Sequence, residues 1–279
     1  MSNDYGETWV EKSVEKNWNS IAMSASGKYQ SACQEGDSVY VSNDFGESWE
    51  PIQIIDGSDS PQDAAISITM IANGKVQLCL SKPLLGSFFF PYISFDYGQT
   101  WEDRSRAPYS PFDTTRPFFF ASTNITINTD GSKMLLISDD HLYISENLFY
   151  STVRVSDNIP YITDLPSTNW TSISTSLQSE YTILTCETGA YLSDDFLVTI
   201  NQIPDISGNA TCSCISASGQ YQVIGVSNDY LYISEDYGHT WNTRGTIEKW
   251  AGVSMSSFGQ YITAVANGAT IKVSLNSAK

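Results

Sequence analysis

Carboxylates are the most plentiful side chains that could do chemistry in this 279-residue sequence, which has 31 Asp and Glu residues. Hydrolysis of a glycosidic bond needs two of them about 5 to 10 Å apart, one as an acid and one as a nucleophile or base. Two adjacent pairs stand out, Asp139–Asp140 and Asp194–Asp195. Because neighbouring residues on a β-strand point to opposite faces, neither pair predicts a catalytic dyad. A dyad built from acids distant in the sequence stays open as an alternative.

Aromatic residues are concentrated in two segments, KPLLGSFFFPY after Ser81 and EDRSRAPYSPFDTTRPFFF after Trp101, and in the second they are interleaved with arginines. This mixture suits stacking on sugar rings or anchoring a protein partner. The alternative is that the phenylalanine triplets begin buried strands. The candidate binding residues are Phe88, Phe89, Phe90, Tyr92, Arg104, Arg106, Tyr109, Phe112 and Arg116.

Metal and redox chemistry have few side chains to draw on, since the chain has two histidines and five cysteines. Cys212 and Cys214 are two residues apart, which on a strand puts both on one face and does not make the tight turn of a zinc knuckle. Five cysteines cannot all pair, so at least one thiol is free. The sequence predicts no metal site and no cofactor.

The charge balance is strongly acidic: 14 Lys and Arg against 31 Asp and Glu give 14 − 31 = −17. Such a field repels phosphate backbones and anionic lipids, so neither a nucleic-acid partner nor membrane insertion is predicted. No run of about 18 apolar residues occurs, and the segment MSNDYGETWVEK lacks the features of a signal peptide. We therefore expect a soluble protein, either cytoplasmic or carried in a virion.

An eight-residue phrase recurs four times in the chain. It reads SNDYGETW at 2–9, SNDFGESW at 42–49, SFDYGQTW at 94–101 and SEDYGHTW at 234–241. Two substituted copies start at Ser145 and Ser193, and both lack the glycine and the tryptophan. A second phrase of the form SASGKY precedes each copy, and its turn positions 27, 74, 131, 180, 219 and 259 lie 39 to 57 residues apart. The chain is therefore a repeat protein with six units.

Each unit is typical of four short strands separated by turns, with no apolar stripe of helical period. Four-stranded units of this length are typical of propeller blades. The sequence thus predicts an all-β, six-bladed β-propeller of four-stranded antiparallel blades, forming a single domain over residues 1–279. The sixth unit has no Asp-containing turn of its own, so residues 1–16 are expected to complete the last blade and close the ring.

These phrases resemble the Asp-box (BNR) repeat found in sialidases, sortilin-type receptors, xyloglucan-cleaving enzymes and photosystem assembly factors. The more regular SASGKY spacing also resembles uncharacterised repeat proteins of large DNA viruses and unicellular eukaryotes. The resemblance implies that each box is the hairpin between the third and fourth strands of a blade, away from the catalytic face. The structural positions that it carries over are Asp4, Gly6, Trp9, Asp44, Gly46, Trp49, Asp96, Gly98, Trp101, Asp236, Gly238 and Trp241.

The loops at the other ends of the strands carry all the length variation, in segments 51–64, 82–92, 102–117 and 156–169. Variable loops on a rigid scaffold are where binding usually occurs. The sequence therefore predicts a non-catalytic scaffold that recognises a protein or glycan partner on this long-loop face.

The alternative is a glycoside hydrolase or a lectin-like glycan-binding protein on a sialidase-like fold. Sialidases are expected to bind the substrate carboxylate with three arginines from separate blades. This chain has five arginines, of which Arg104, Arg106 and Arg116 share one loop. Lysine does not reproduce the guanidinium fork, so the sialidase constellation is predicted to be absent.

Overall fold

The part of the chain that the structure describes contains twenty-three β-strands. The computed structural model describes residues 12, 16–34, 38–54, 63–83, 90–103, 123–128, 131, 133–138, 141–145, 153–154, 169–268 and 272–275. Within these residues no helix is long and apolar enough to cross a membrane. The chain divides into two compact units, one containing the first two sheets and most of the third, the other containing the last three.

The first unit is built from sheets in which strands adjacent in sequence pair with each other. Its first sheet is β1 (Trp18–Met23), β2 (Gln30–Gln34), β3 (Val39–Ser42) and β4 (Glu50–Ile52). Its second is β5 (Asp63–Met70), β6 (Gln77–Pro83), β7 (Phe90–Ser94) and β8 (Glu102–Asp103). The third is β9 (Thr123–Ile127), β10 (Met134–Ser138), β11 (His141–Ser145) and β12 (Val153–Arg154).

The second unit repeats this plan. Its sheets are β13 (Trp170–Thr175), β14 (Thr182–Cys186), β15 (Gly189–Ser193) and β16 (Asn201–Ser207); then β17 (Ala210–Ile215), β18 (Gln222–Val226), β19 (Asp229–Ser234) and β20 (Asn242–Glu248); then β21 (Trp250–Met255), β22 (Tyr261–Ala266) and β23 (Lys272–Leu275). The first strand of each sheet here has a bulge after its first residue, at Trp170, Ala210 and Trp250. The recurring bulge shows that the three sheets are copies of one structural repeat.

The core lies between successive sheets. In the first unit, one cluster joins the first and second sheets through Val41, Ile68 and Tyr92, and another joins the second and third through Leu80 and Ile125. Equivalent clusters join the three sheets of the second unit. Strands β14 and β18 are buried on both faces, whereas β20 is almost wholly exposed. Burial therefore falls from the second strand of a sheet to its fourth.

The five cysteines are part of this core, since all are free and buried. Burial raises the pKa of Cys33 to about 12 and that of Cys212 to about 11. Thiols with such values stay protonated at neutral pH and behave as small apolar side chains. Cys212 and Cys214 share the buried face of β17, as their spacing predicts.

The prediction of a six-bladed propeller made of four-stranded blades is wrong. The described residues form five four-stranded sheets and one three-stranded sheet, β21-β22-β23. The physical reason is that the sixth repeat has no Asp-box phrase of its own, so among the described residues no box hairpin pairs a fourth strand with β23. The segment 1–16, predicted to supply that strand, lies outside the described residues except for 12 and 16. The single-domain assignment remains a prediction.

Candidate functional site

The Asp-box turn at 234–240 is closed by one compact hydrogen-bond network. Asp236 Oδ1 accepts from Ser234 Oγ and from the Thr240 amide, both at 2.9 Å, and its Oδ2 accepts from Thr240 Oγ1 at 2.7 Å. Ser234 Oγ in turn accepts from the Gly238 amide at 2.8 Å. The side chains of Asp236 and Ser234 therefore accept backbone amides of the turn, which is the role that Asp and Ser often have in tight turns, and the Thr240 side chain donates to the carboxylate.

The turns at 42–48 and 94–100 repeat this network. Asp44 accepts from the Ser48 amide at 3.0 Å and from Ser48 Oγ at 2.6 Å. Asp96 accepts from the Thr100 amide at 2.8 Å and from Thr100 Oγ1 at 2.6 Å. The preceding serines, Ser42 and Ser94, each donate to their aspartate at 2.8 Å. The fixed letters of the sequence phrase are thus the groups that make the turn.

The tryptophan and the glycine of the phrase also contact each other. Trp241 Nε1 donates to the Gly238 carbonyl at 3.1 Å, and Trp101 Nε1 donates to the Gly98 carbonyl at 3.0 Å. Trp241 packs on the cluster between the fourth and fifth sheets, and Trp101 on the cluster between the first and second. The tryptophan therefore ties its turn to the core between sheets.

Ionisation of the box aspartates is favoured by these hydrogen bonds. Bonds from Ser48 and Ser42 lower the pKa of Asp44 to about 2. At Asp96 and Asp236 partial burial opposes ionisation, but the bonds from the threonine two residues after the glycine outweigh it, so the pKa of each is lowered. These carboxylates are charged at neutral pH and fully engaged within their turns, which makes them poor proton donors.

The substituted copy at 193–199 keeps the whole network, although it lacks the glycine and the tryptophan. Asp195 accepts from the Thr199 amide at 2.8 Å and from Thr199 Oγ1 at 2.7 Å. Ser193 Oγ donates to Asp195 at 3.0 Å and accepts from the Leu197 amide at 2.9 Å. Leu197 takes the glycine position with φ of 69° and is 1% exposed. Sequence reasoning undervalued this turn, and the retained Ser-x-Asp-x-x-x-Thr spacing was the signal that could have found it.

Both turns of a sheet lie at the same edge and are bonded to each other. The residue before the box glycine donates its amide to the first turn: Phe45 to the Lys28 carbonyl and Tyr97 to the Lys75 carbonyl, both at 3.1 Å. Phe196 and Tyr237 do the same with Glu180 and Gln220, at 3.2 and 3.1 Å. We call this edge of each sheet the turn edge.

Successive sheets within a unit are also joined along the turn edge. The Ala25 amide donates to the Ala72 carbonyl at 2.8 Å in the first unit. In the second unit Leu177 donates to Ala217 at 3.0 Å, and Ala217 donates to Ser257 at 2.8 Å. The turn edge is therefore a continuous hydrogen-bonded framework across the three sheets of the second unit, and it joins the first two sheets of the first unit.

The predicted binding residues are only partly described. Tyr92 is fully buried in the core between the first and second sheets, so it is withdrawn from the candidate binding face. Phe90 begins β7 and is described by its backbone alone. The other predicted positions that lie outside the described residues are Asp4, Gly6, Trp9, Phe88, Phe89, Arg104, Arg106, Tyr109, Phe112 and Arg116.

Of the two acid pairs considered for catalysis, the structure describes only the second. Asp139 and Asp140 lie outside the described residues. Asp194 is exposed, whereas its neighbour Asp195 is engaged in the turn network. Among described residues, no group of three or more His, Cys, Asp or Glu side chains is placed to bind a metal ion.

Comparison with known proteins gives the class of fold. The BNR/Asp-box repeat model matches residues 92–103, which contain the turn at 94–100. A search of curated protein sequences found no match. Solved structures do match, at identities low enough that the likeness concerns the fold alone.

Three of these structures cover nearly the whole chain. The GH74 xyloglucanase from Xanthomonas campestris has a TM-score of 0.68 and 12% identity over 93% of this chain, which spans 45% of the xyloglucanase. YCF48 bound to D1 peptide has a TM-score of 0.64 and 11% identity, covering 97% of this chain and 84% of that one. The Cps50 (Swd1) beta-propeller domain from Myceliophteria thermophila has a TM-score of 0.64 and 12% identity, covering 94% and 85%. The chain thus has an all-β propeller fold with a BNR-type repeat.

Proposed function

We propose that the protein is a non-catalytic binding scaffold that recognises a protein partner through its long-loop face. One observation carries the proposal. The Asp-box carboxylates are the chemically distinctive groups of the repeat, and they accept hydrogen bonds from within their own turns. The turn edge is thereby rigid, and the sequence variation is left to the opposite ends of the strands.

The distribution of loop lengths supports this assignment. In the second unit the opposite-edge connections are short, with one residue between β20 and β21 and two between β14 and β15. In the first half of the chain the corresponding segments 51–64, 82–92 and 102–117 are much longer. Segment 82–92 is rich in aromatic residues, and segment 102–117 contains both aromatic residues and three arginines. Long aromatic loops on a rigid scaffold are typical of partner recognition.

Recognition of a glycan is the second candidate. The observation that favours it is the interleaving of Tyr109 and Phe112 with arginines in segment 102–117, since aromatic faces stack on sugar rings. The xyloglucanase likeness concerns the fold alone.

The test compares two variants in two assays. In the first variant Arg104, Arg106 and Arg116 are changed to Ala, and in the matched control Phe45→Asn alters an exposed aromatic on the turn edge. Each is used in affinity capture from the source organism's extract and on a glycan array. We expect the arginine variant to lose a specific captured protein that the control retains. Glycan binding that depends on the arginines would favour the second candidate, and equal capture by both variants would contradict the proposed face.

A further inference from the structure

The turn edge of the second unit carries an unusual combination of exposed apolar and acidic side chains. It comprises turns 176–180, 193–199, 216–220, 234–240 and 256–260. Phe258 is 77% exposed and Phe196 is 47% exposed, and Leu177, Val198 and Tyr237 are exposed beside them. These turns contain five Asp and Glu residues and no Lys or Arg, so their formal charge is 0 − 5 = −5.

These side chains belong to one continuous surface. The backbone bonds Leu177 to Ala217 and Ala217 to Ser257 place the first turns of three sheets side by side, with Phe258 next in the chain. The rings of Tyr181 and Tyr237 lie 5.3 Å apart, which joins the fourth sheet to the box turn of the fifth. A Cβ atom on Gly219 or Gly259 would overlap the ring of Tyr181 or Tyr221, so these turns are packed without a gap.

The turn edge of the first unit differs in charge at one equivalent position. Lys28 and Lys75 follow the turn glycine there, where the second unit has Glu180, Gln220 and Gln260. With three acids and two lysines in turns 24–28, 42–48, 71–75 and 94–100, its formal charge is 2 − 3 = −1. The framework is the same in both units, so the framework does not require the acidic surface.

We propose that the turn edge of the second unit is a docking surface for a partner segment in which lysine or arginine residues alternate with apolar ones. Charge complementarity selects this occupant, because exposed acids attract a cationic segment while the aromatic and aliphatic side chains bind its apolar residues. A second copy of the chain is disfavoured, since its net charge of −17 repels a like-charged edge. The proposal does not depend on the long-loop face.

The test uses synthetic twelve-residue probes and fluorescence anisotropy. One probe alternates Lys and Phe, a second alternates Glu and Phe, and a third alternates Lys and Ser. We expect the Lys–Phe probe to bind best, and its affinity to fall as sodium chloride rises. We expect Glu180→Lys, which installs the residue of the first unit, and Phe258→Ser each to weaken binding by about five- to tenfold.

Matched variants separate this surface from general attraction to an acidic protein. Phe196→Asn and Phe45→Asn both replace an exposed aromatic at positive φ, and only the first should weaken probe binding. Asp205→Lys makes the same charge change as Glu180→Lys but on the exposed strand β16, and its effect should be under about twofold. Equal effects of either pair, or equal binding of the Glu–Phe probe, would overturn the proposal. Loss of the long-loop arginines should leave probe binding unchanged, so the two proposals can fail separately.

Discussion

The Asp-box turns at 234–240 and 193–199 share one hydrogen-bond network but not one sequence. Both use Ser, Asp and Thr in the same positions, with bonds that agree within about 0.1 Å. The first copy has Gly238 in its turn and Trp241 directly after it. The second copy has Leu197 and Ile200 at these two positions. The comparison teaches that the three polar side chains define the turn, whereas glycine and tryptophan serve its packing against the sheets.

The largest loss of stability is expected when Gly238 of the turn at 234–240 is replaced by leucine, the residue that the turn at 193–199 has at this position. In Gly238→Leu, a Cβ atom would collide with Leu192 and lie 3.0 Å from Gln222 Oε1, at a backbone φ of 86°. We expect a loss of about 3 kcal/mol or more in unfolding free energy, measured by urea denaturation.

Gly268→Ala is the control, because Gly268 has φ of 76° and no atom of the described residues lies within 4 Å of a Cβ added there. It should cost only about 1 kcal/mol, which is the backbone strain alone. Equal losses for the two variants would show that close packing does not set the glycine requirement at 238.

Removal of the box carboxylate should destabilise both turns alike. Asp236→Ala and Asp195→Ala each leave a serine and a threonine without their acceptor, and we expect each to cost about 2 kcal/mol. Asp194→Ala changes the exposed neighbour and should cost under about 0.5 kcal/mol. If Asp195→Ala behaves like Asp194→Ala, the network at 193–199 is not stabilising.

Replacement of the tryptophan should have a smaller effect. Trp241→Ile gives the intact turn the residue found at position 200, and it loses the bond to the Gly238 carbonyl and part of the contact with the core. Because Trp241 is only half-buried, we expect a loss of about 1 to 2 kcal/mol, seen as a lower melting temperature. A melting temperature equal to that of the wild type would contradict the packing role.

The smallest predicted effect is the loss of stability of an Asp-box turn at acid pH. The pKa of Asp44 is lowered to about 2 in the folded state, below its ordinary value of 3.8. The stabilisation is therefore complete above pH 3.8 and is lost as pH falls towards 2. Asp44→Asn should flatten the fall in melting temperature between pH 4 and pH 2. Asp194→Asn should not, and an unchanged acid profile for Asp44→Asn would contradict this assignment.

Sequence alone predicted the repeat and the turns well, since the fixed letters of the phrase are the groups that bond in the structure. It predicted the shared edge of the two turns because antiparallel strands in chain order allow no other placement. It did not predict that Leu197 takes a left-handed backbone conformation, because that conformation is rare for residues other than glycine. The network bonds at Ser193 and Thr199 hold it there.

The errors of sequence reasoning have a common physical origin. Tyr92 was assigned to the variable segment 82–92 and to the binding face, yet it pairs with Cys79 and faces the core. Six four-stranded blades were inferred from six repeats and the segment 1–16, whereas the sheet β21-β22-β23 has three strands among the described residues. Long loops have no periodic pattern from which a binding geometry could be derived.

The most direct test of the account is a paired measurement on Asp96→Ala, a change in a turn of the first unit. Its carboxylate is bonded only within the turn, so the account predicts a clear fall in melting temperature and unchanged capture of the partner at temperatures where the variant is folded. An unchanged melting temperature together with lost capture would contradict it, because the turn would then be a recognition site and not part of the framework.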